Sequence, residues 1–394
     1  MYTSTLKEEL SKELRENILP FWMDRMPDPA GGFLGRIDGR GTAFADAEKG
    51  AILNARILWT FSSAWRILQD SSYLETAHRA YRYISDHFID REYGGVYWSL
   101  NADGTPRDSK KQFYAIAFTI YALAEYHRAC PSGDALDLAV KLFRSIEEHS
   151  LDKNREAYLE ACTREWDTIE DMRLSDKDQN DARTMNTHLH ILEAYTGLYR
   201  VWKDESAELA LRRVTDIFLN RIVRTDGHLG LFFDENWKPT STMVSYGHDI
   251  EASWLLCEAA EVLGDAELIS SVIDVSGRIA DAAMEGFTPK GGMEYEFDPV
   301  TGVRHDSRDW WVQAESVVGC INRFQLTSDP IWKDRALAQW EFIRKHIVCP
   351  DGEWYWSALP SAEGFVPNTA DDRAGFWKCP YHNGRMCMEI IERL

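Results

Sequence analysis

Three histidines, His190, His248 and His382, stand in segments far apart in the chain, at places where a repeating pattern would bring them together. Histidine suits proton transfer because its reference pKa lies near neutrality, so one imidazole can take a proton while another returns one. Further residues that look out of place among apolar neighbours share the rhythm: Arg56, Tyr114, Asn186 ahead of His190, Glu251 after His248, and Trp311 with Glu315. Taking one position per segment, 56, 114, 190, 248, 311 and 382, the gaps are 58, 76, 58, 63 and 71 residues. Each position falls near the start of the second helix after a hairpin turn. One such group per repeat, at one level, would converge on a single mouth. A lone histidine is ordinarily a satisfied structural residue, but three in register with a repeat weigh toward a site.

Local spacing narrows the chemistry. In SYGHDIEASWLL, His248 and Glu251 are three apart on a helix and share a face, which would let the carboxylate orient the imidazole. In TMNTHLHILEAY, Asn186 and His190 are four apart and again share a face. His188 would point roughly 160° away from His190 at 3.6 residues per turn, which argues against a His-x-His metal pair. The sequence has no HExxH, CxxC or EF-hand loop, no Walker A motif, no GxGxxG after a strand and no GxSxG elbow. No metal and no nucleotide cofactor are expected. What remains is acid–base work by histidine and carboxylate on a neutral, hydroxyl-rich ligand.

The elements that must position these groups are written in a six-fold pattern. A glycine turn followed by alternating aromatic and polar residues occurs as GGFLGRIDG from Gly31, GGVYWSLNADG from Gly94 and GLFFDENWKP from Gly230. It returns as GGMEYEFDPVTG from Gly291 and GEWYWSALP from Gly352, and a degenerate copy, REAYLEACTREW, fills the double-length gap near Tyr158. Each reads as a small strand or hairpin. Between them lie paired apolar stretches at helical spacing: 52–68 and 77–88, 111–128 and 134–148, 184–202 and 206–223, 248–263 and 266–285, 311–326 and 330–347. A last helix at about 381–393 would close the ring against the helix before Pro20, with Pro20, Pro27 and Pro29 marking the first break. The expected architecture is all-α: an (α/α)6 barrel of six helical hairpins with short β-hairpins at one end, as a single domain over residues 1–394. An open solenoid shares the rhythm, but the terminal helices here are as apolar as the middle ones.

Composition excludes several partners. The net charge of -20, from 44 basic and 64 acidic residues, argues against nucleic acid and anionic membrane. Seven scattered cysteines suit free thiols in a reducing compartment. The start, MYTSTLKEELSKELREN, lacks the apolar core of a signal peptide, and no stretch approaches the ~20 apolar residues of a membrane span. A cytoplasmic monomer is expected. The 15 Trp, 16 Tyr and 17 Phe are compatible with a carbohydrate site, where rings pack on sugar C–H faces.

NARILWTFSSAWR from Asn54, TMNTHLHILEAY from Thr184, SYGHDIEASWLL from Ser245, DWWVQAE from Asp309 and WKCPYHNGRMC from Trp377 together resemble the N-acylglucosamine 2-epimerase superfamily, and within it the branch acting on cellobiose. The resemblance spans nearly the whole chain and implies an (α/α)6 barrel that inverts C2 of a reducing-end aldose, interconverting glucose and mannose configurations. It implies that His248 and His382 exchange the C2 proton on opposite sides of the sugar and that His190 helps open the pyranose ring. Arg56 would sit near the carbonyl oxygen; Asn186, Glu251 and Glu315 would bind substrate or orient other groups. Trp311 and Trp377 would be aromatic walls, and Tyr114 a contact. A mannose 2-epimerase acting on monosaccharides is the alternative. From another class, an (α/α)6 glycoside hydrolase would need a carboxylate pair from Asp249, Glu251 and Glu315, and a non-catalytic sugar-binding protein would return the sugar unchanged.

Overall fold

The computed structural model describes residues 2–131 and 133–394. The chain opens with helix α1 (Tyr2–Glu13), continued through a π turn at Leu14–Ile18 into α2 (Leu19–Asp24). Five helix pairs follow: α3 (Ala51–Leu68) with α4 (Ser71–Tyr83), α5 (Phe113–Ala129) with α6 (Gly133–His149), and α7 (Met185–Val201) with α8 (Glu205–Ile217). Then come α9 (Tyr246–Leu263) with α10 (Ala266–Ala283), α11 (Trp310–Thr327) with α12 (Pro330–His346), and α13 (Tyr381–Arg393) alone.

The two members of each pair differ as their sequences require. In α5 every residue from Phe113 to Tyr126 is buried, so this helix touches protein all round. In α4 the buried residues are Tyr73, Ala77, Ala80 and Tyr83, a single stripe that marks an outer helix. The odd-numbered helices from α3 to α13 pack each on the next, and α13 returns to α3, closing an inner ring. The even-numbered helices α4 to α12 form the outer layer, and α1 backs α13 as the sixth outer helix. The reversals are tight. Gln69, Gly264 and Ser328 take left-handed φ at the ends of α3, α9 and α11, and the following Asp70, Asp265 and Asp329 cap α4, α10 and α12 through their carboxylates.

The glycine-aromatic segments form small sheets, and they also stitch the ring. The two residues leading into each inner helix pair with the glycine-aromatic strand of the following repeat: Lys49–Gly50 with Ser99–Leu100, Lys111–Gln112 with Ala161–Cys162, and Arg183–Thr184 with Phe232–Phe233. Val244–Ser245 pairs with Glu296–Phe297, and Arg308–Asp309 with Ser357–Ser361. A bridge between Ile37 and Ala374 makes the sixth link, tying the last lead-in to the first repeat. Buried ion pairs pin several lead-ins to their turns, Lys49 to Asp28 at 2.6 Å, Lys111 to Asp90 at 2.8 Å and Lys378 to Glu353 at 2.6 Å.

Two expectations need correction. The polar residues lie on the first helix after each strand, not the second, because the first is the inner helix and its opening turns line the cavity. Pro20 does not break the first helix; it sits inside α2, directly after the π turn. A proline cannot donate to the carbonyl four residues back and clashes with it, and the widened turn absorbs that misfit.

Candidate active site

The starts of the inner helices surround one cavity of ≈ 380 Å³. Nine of the sequence-selected residues line it: Arg56, Tyr114, Asn186, His190, His248, Glu251, Trp311, Trp377 and His382. Glu315 lies behind them, buried, and bonded to His382. Because the helices point their N-termini at this space, their dipoles favour negative charge developing there.

His382 belongs to a dense buried network. Its Nδ1–H donates to Glu315 Oε1 at 2.7 Å. Glu315 also accepts from the Trp254 indole N–H at 3.0 Å and from Arg385 Nη2 at 2.7 Å. The same Arg385 nitrogen donates to Glu251 at 2.8 Å, while Nη1 donates to Glu193. Glu193 in turn accepts from Tyr381 and, at 3.0 Å, from His190 Nδ1–H. One guanidinium thus joins three carboxylates, and two of these orient the imidazoles of His382 and His190. A carboxylate only accepts, so both rings carry their hydrogen on Nδ1 and present a lone pair at Nε2. Burial, together with Glu315 nearby, pushes Glu251 well above the usual carboxylate range. Burial also raises Glu193, but Arg385 and His190 outweigh it and leave its carboxyl below the usual range. Burial, aided by Arg56 and Arg385, depresses His382 well below its ordinary value.

His248 is held differently. Its Nδ1 meets the Ser245 hydroxyl at 2.7 Å, and its ring lies 4.7 Å from that of Trp311, which also stands 5.7 Å from His382. Burial, with His190 nearby, depresses it to about 3, so the ring is neutral at pH 7. Arg56 is buried, its guanidinium 4.2 Å from the Phe118 ring and 3.0 Å from the Tyr114 hydroxyl, to which it donates. Its other partners are the Trp377 carbonyl and the Cys379 sulfur, and among the described residues it has no carboxylate partner, which leaves a permanent positive charge facing the cavity. Asn186 Oδ1 also lacks a partner among the described residues.

The i,i+3 expectation for Glu251 fails: it binds Arg385, not His248, because the buried guanidinium is the stronger attraction. The spacing rule does hold for His190 with Glu193, a residue the sequence reading passed over. Arg385, three after His382, was also missed, as were Tyr381 and Ser245. Tyr295, Asp309, Trp310, Trp356 and the 174–178 loop complete the wall. His188 points away, as expected, accepting from Tyr158 N–H at 3.1 Å and donating to the Thr184 carbonyl at 2.7 Å. Asp249 faces away too, bonded to His228 at 2.7 Å. Glu251, Glu315 and His382 place donor atoms within 4.8 Å of one another, the spacing of a metal site. Arg385 Nη2 already bridges the two carboxylates, so the donor set does not fit a cation.

Neutral imidazoles, an unpaired arginine and indole walls in a ring of helices define a barrel protein equipped for acid–base chemistry on an uncharged polyol. The chain belongs to the N-acylglucosamine 2-epimerase (GlcNAc 2-epimerase) family, whose signature matches residues 32–374. The match stops ahead of Trp377, His382 and Arg385, but full-length relatives extend past them. A cellobiose 2-epimerase of Bacteroides fragilis is 55% identical over 389 residues, 98% of each chain. One from Ruminococcus albus is 39% identical, again over 98% of each. The solved cellobiose 2-epimerase from Bacillus thermoamylovorans superposes with a TM-score of 0.93 at 38% identity, covering 99% of this chain and 100% of that one.

Proposed function

We propose that the protein, acting as a single-domain monomer, is a sugar 2-epimerase that converts a reducing-end glucose unit to mannose, cellobiose to glucosyl-mannose. The observation that carries this reading is the sharing of one cavity by His248 and His382, each with Nδ1 held and Nε2 without a partner among the described residues. Epimerisation at C2 first needs the pyranose open, and in this reading His190 moves the proton involved. The C2 hydrogen, now α to an aldehyde, leaves to one imidazole, and Arg56 stabilises the oxyanion of the cis-enediolate. The other imidazole returns a proton to the opposite face. No electrons are gained or lost, so the reaction as written consumes no redox cofactor.

The full-length relatives named cellobiose 2-epimerase support the disaccharide over the monosaccharide. A hydrolase is disfavoured because Glu251 and Glu315 are both tied to Arg385 instead of flanking a bond to be cut. Seven free cysteines and the absence, among the described residues, of any helix able to cross a membrane support a cytoplasmic location. Incubating the protein with cellobiose and, separately, with mannose, then chromatographing the sugars, tests the reading. Glucosyl-mannose from cellobiose is expected. Conversion of mannose alone selects the monosaccharide enzyme, and release of glucose from cellobiose contradicts the proposal.

A further inference from the structure

Ser245 ends the lead-in strand Val244–Ser245 and stands at the N-cap of α9. A serine there ordinarily accepts from a backbone N–H two or three residues on, satisfying one of the helix's orphan donors. Thr184, in the same place before α7, does this, accepting from Thr187 N–H at 3.1 Å. Ser245 does not cap its helix. Its hydroxyl, fully buried, meets His248 Nδ1 at 2.7 Å instead. His248 is the third residue of α9, the position from which a glutamate reaches back in a capping box, and an imidazole has taken that place.

We infer that Ser245 is a positioning residue for the epimerisation: its hydroxyl accepts the Nδ1 hydrogen of His248 and keeps Nε2 directed at C2 of the sugar. The inference rests on the role given to His248 above. In the free protein both rings are neutral; for turnover one of them takes up a proton from solvent, so that one imidazole starts neutral and the other protonated. The C2–H bond breaks, its proton goes to Nε2 of the neutral ring, and its electron pair forms the C1=C2 bond while the carbonyl π pair moves to O1. The protonated ring then gives its Nε2 proton to the opposite face of C2, and the carbonyl re-forms. Atoms and charge balance, and the two rings finish with their protonation states exchanged. For Nε2 to do all the exchanging, Nδ1 must keep its hydrogen throughout. Glu315 ensures this for His382, and Glu193 for His190. Ser245 does it for His248 without a charge, so this ring is fixed in direction yet its imidazolium is bound less strongly than beside a carboxylate.

The test compares wild type, Ser245→Ala and Ser245→Thr for conversion of cellobiose and of mannose. Alanine is expected to lower kcat by about 10- to 100-fold, with KM within about threefold and the melting temperature unchanged, because no cap is lost. Threonine, which keeps the hydroxyl, should restore most of kcat, and the 15N signal of His248 Nδ1 should move in the alanine variant alone. An alanine variant that melts lower yet turns over like wild type would make Ser245 a structural cap and overturn the inference. So would failure of threonine to restore kcat. If wild type converts neither sugar, the functional reading falls and takes this inference with it; if wild type is active and alanine is equally active, only the inference falls.

Discussion

His382 and His248 reach the same cavity from α13 and α9, and the protein supports them in opposite ways. Behind His382 lie Glu315, Glu251, Glu193 and Arg385, contributed by four inner helices and all buried. Behind His248 stands one serine hydroxyl from its own lead-in strand. The first arrangement fixes the ring through charge and long-range contacts; the second fixes it locally and without charge. In the proposed reaction, an exchange that runs both ways across C2 uses one nitrogen on each side, and this pair is the candidate.

The largest effect should come from removing either ring. His248→Ala and His382→Ala should each lower epimerisation by about 10²- to 10⁴-fold. If each ring serves one face, each variant should still exchange the C2 hydrogen of one epimer with solvent and not of the other, as NMR in D2O would show. Exchange of both epimers by either variant would break the assignment. Next, Arg385→Met should destabilise the protein by about 3–5 kcal/mol, because it removes the one cation that Glu193, Glu251 and Glu315 share in the buried network; denaturant unfolding measures this. Replacing Ser245, which carries no charge, should cost far less stability. Glu315→Gln keeps the shape but can turn a donor toward Nδ1 of His382, and kcat should drop by about 10²-fold with little change in KM.

His248 and Glu251 should also differ in pH dependence, by up to about 1.4 kcal/mol per pH unit for each group. His248 is depressed to about 3, so the folded protein binds fewer protons than the unfolded chain below the ordinary histidine value. Its contribution is complete above about 6.5 and is lost as pH falls through the window toward 3. Glu251 is raised by burial, so the folded protein binds more protons; its contribution is complete below the ordinary carboxylate value and is lost as pH rises. Melting temperatures at pH 5 and pH 8 should show wild type losing ground to His248→Asn on acidification and to Glu251→Gln on alkalinisation.

Sequence periodicity located the barrel because burial writes itself locally: all-round apolar runs such as 113–126 alternate with single stripes such as Tyr73, Ala77, Ala80 and Tyr83. It located one level of the site for the same reason, since each inner helix contributes at its start. The next layer was invisible. Arg385 meets Glu193 across 192 residues and Glu251 across 134, and nothing local distinguishes these from surface ion pairs. Glu193 was within reach, three after His190. Ser245 was hidden by its position, where a serine reads as an ordinary helix cap. The ring-closing bridge of Ile37 to Ala374 follows from topology alone.

Deuterium tests the central claim most directly. Cellobiose incubated with the protein in D2O should yield glucosyl-mannose carrying deuterium at C2, with the glycosidic bond intact. An epimer formed with its C2 hydrogen fully retained, or glucose released with no label at C2, would contradict proton exchange through His248 and His382.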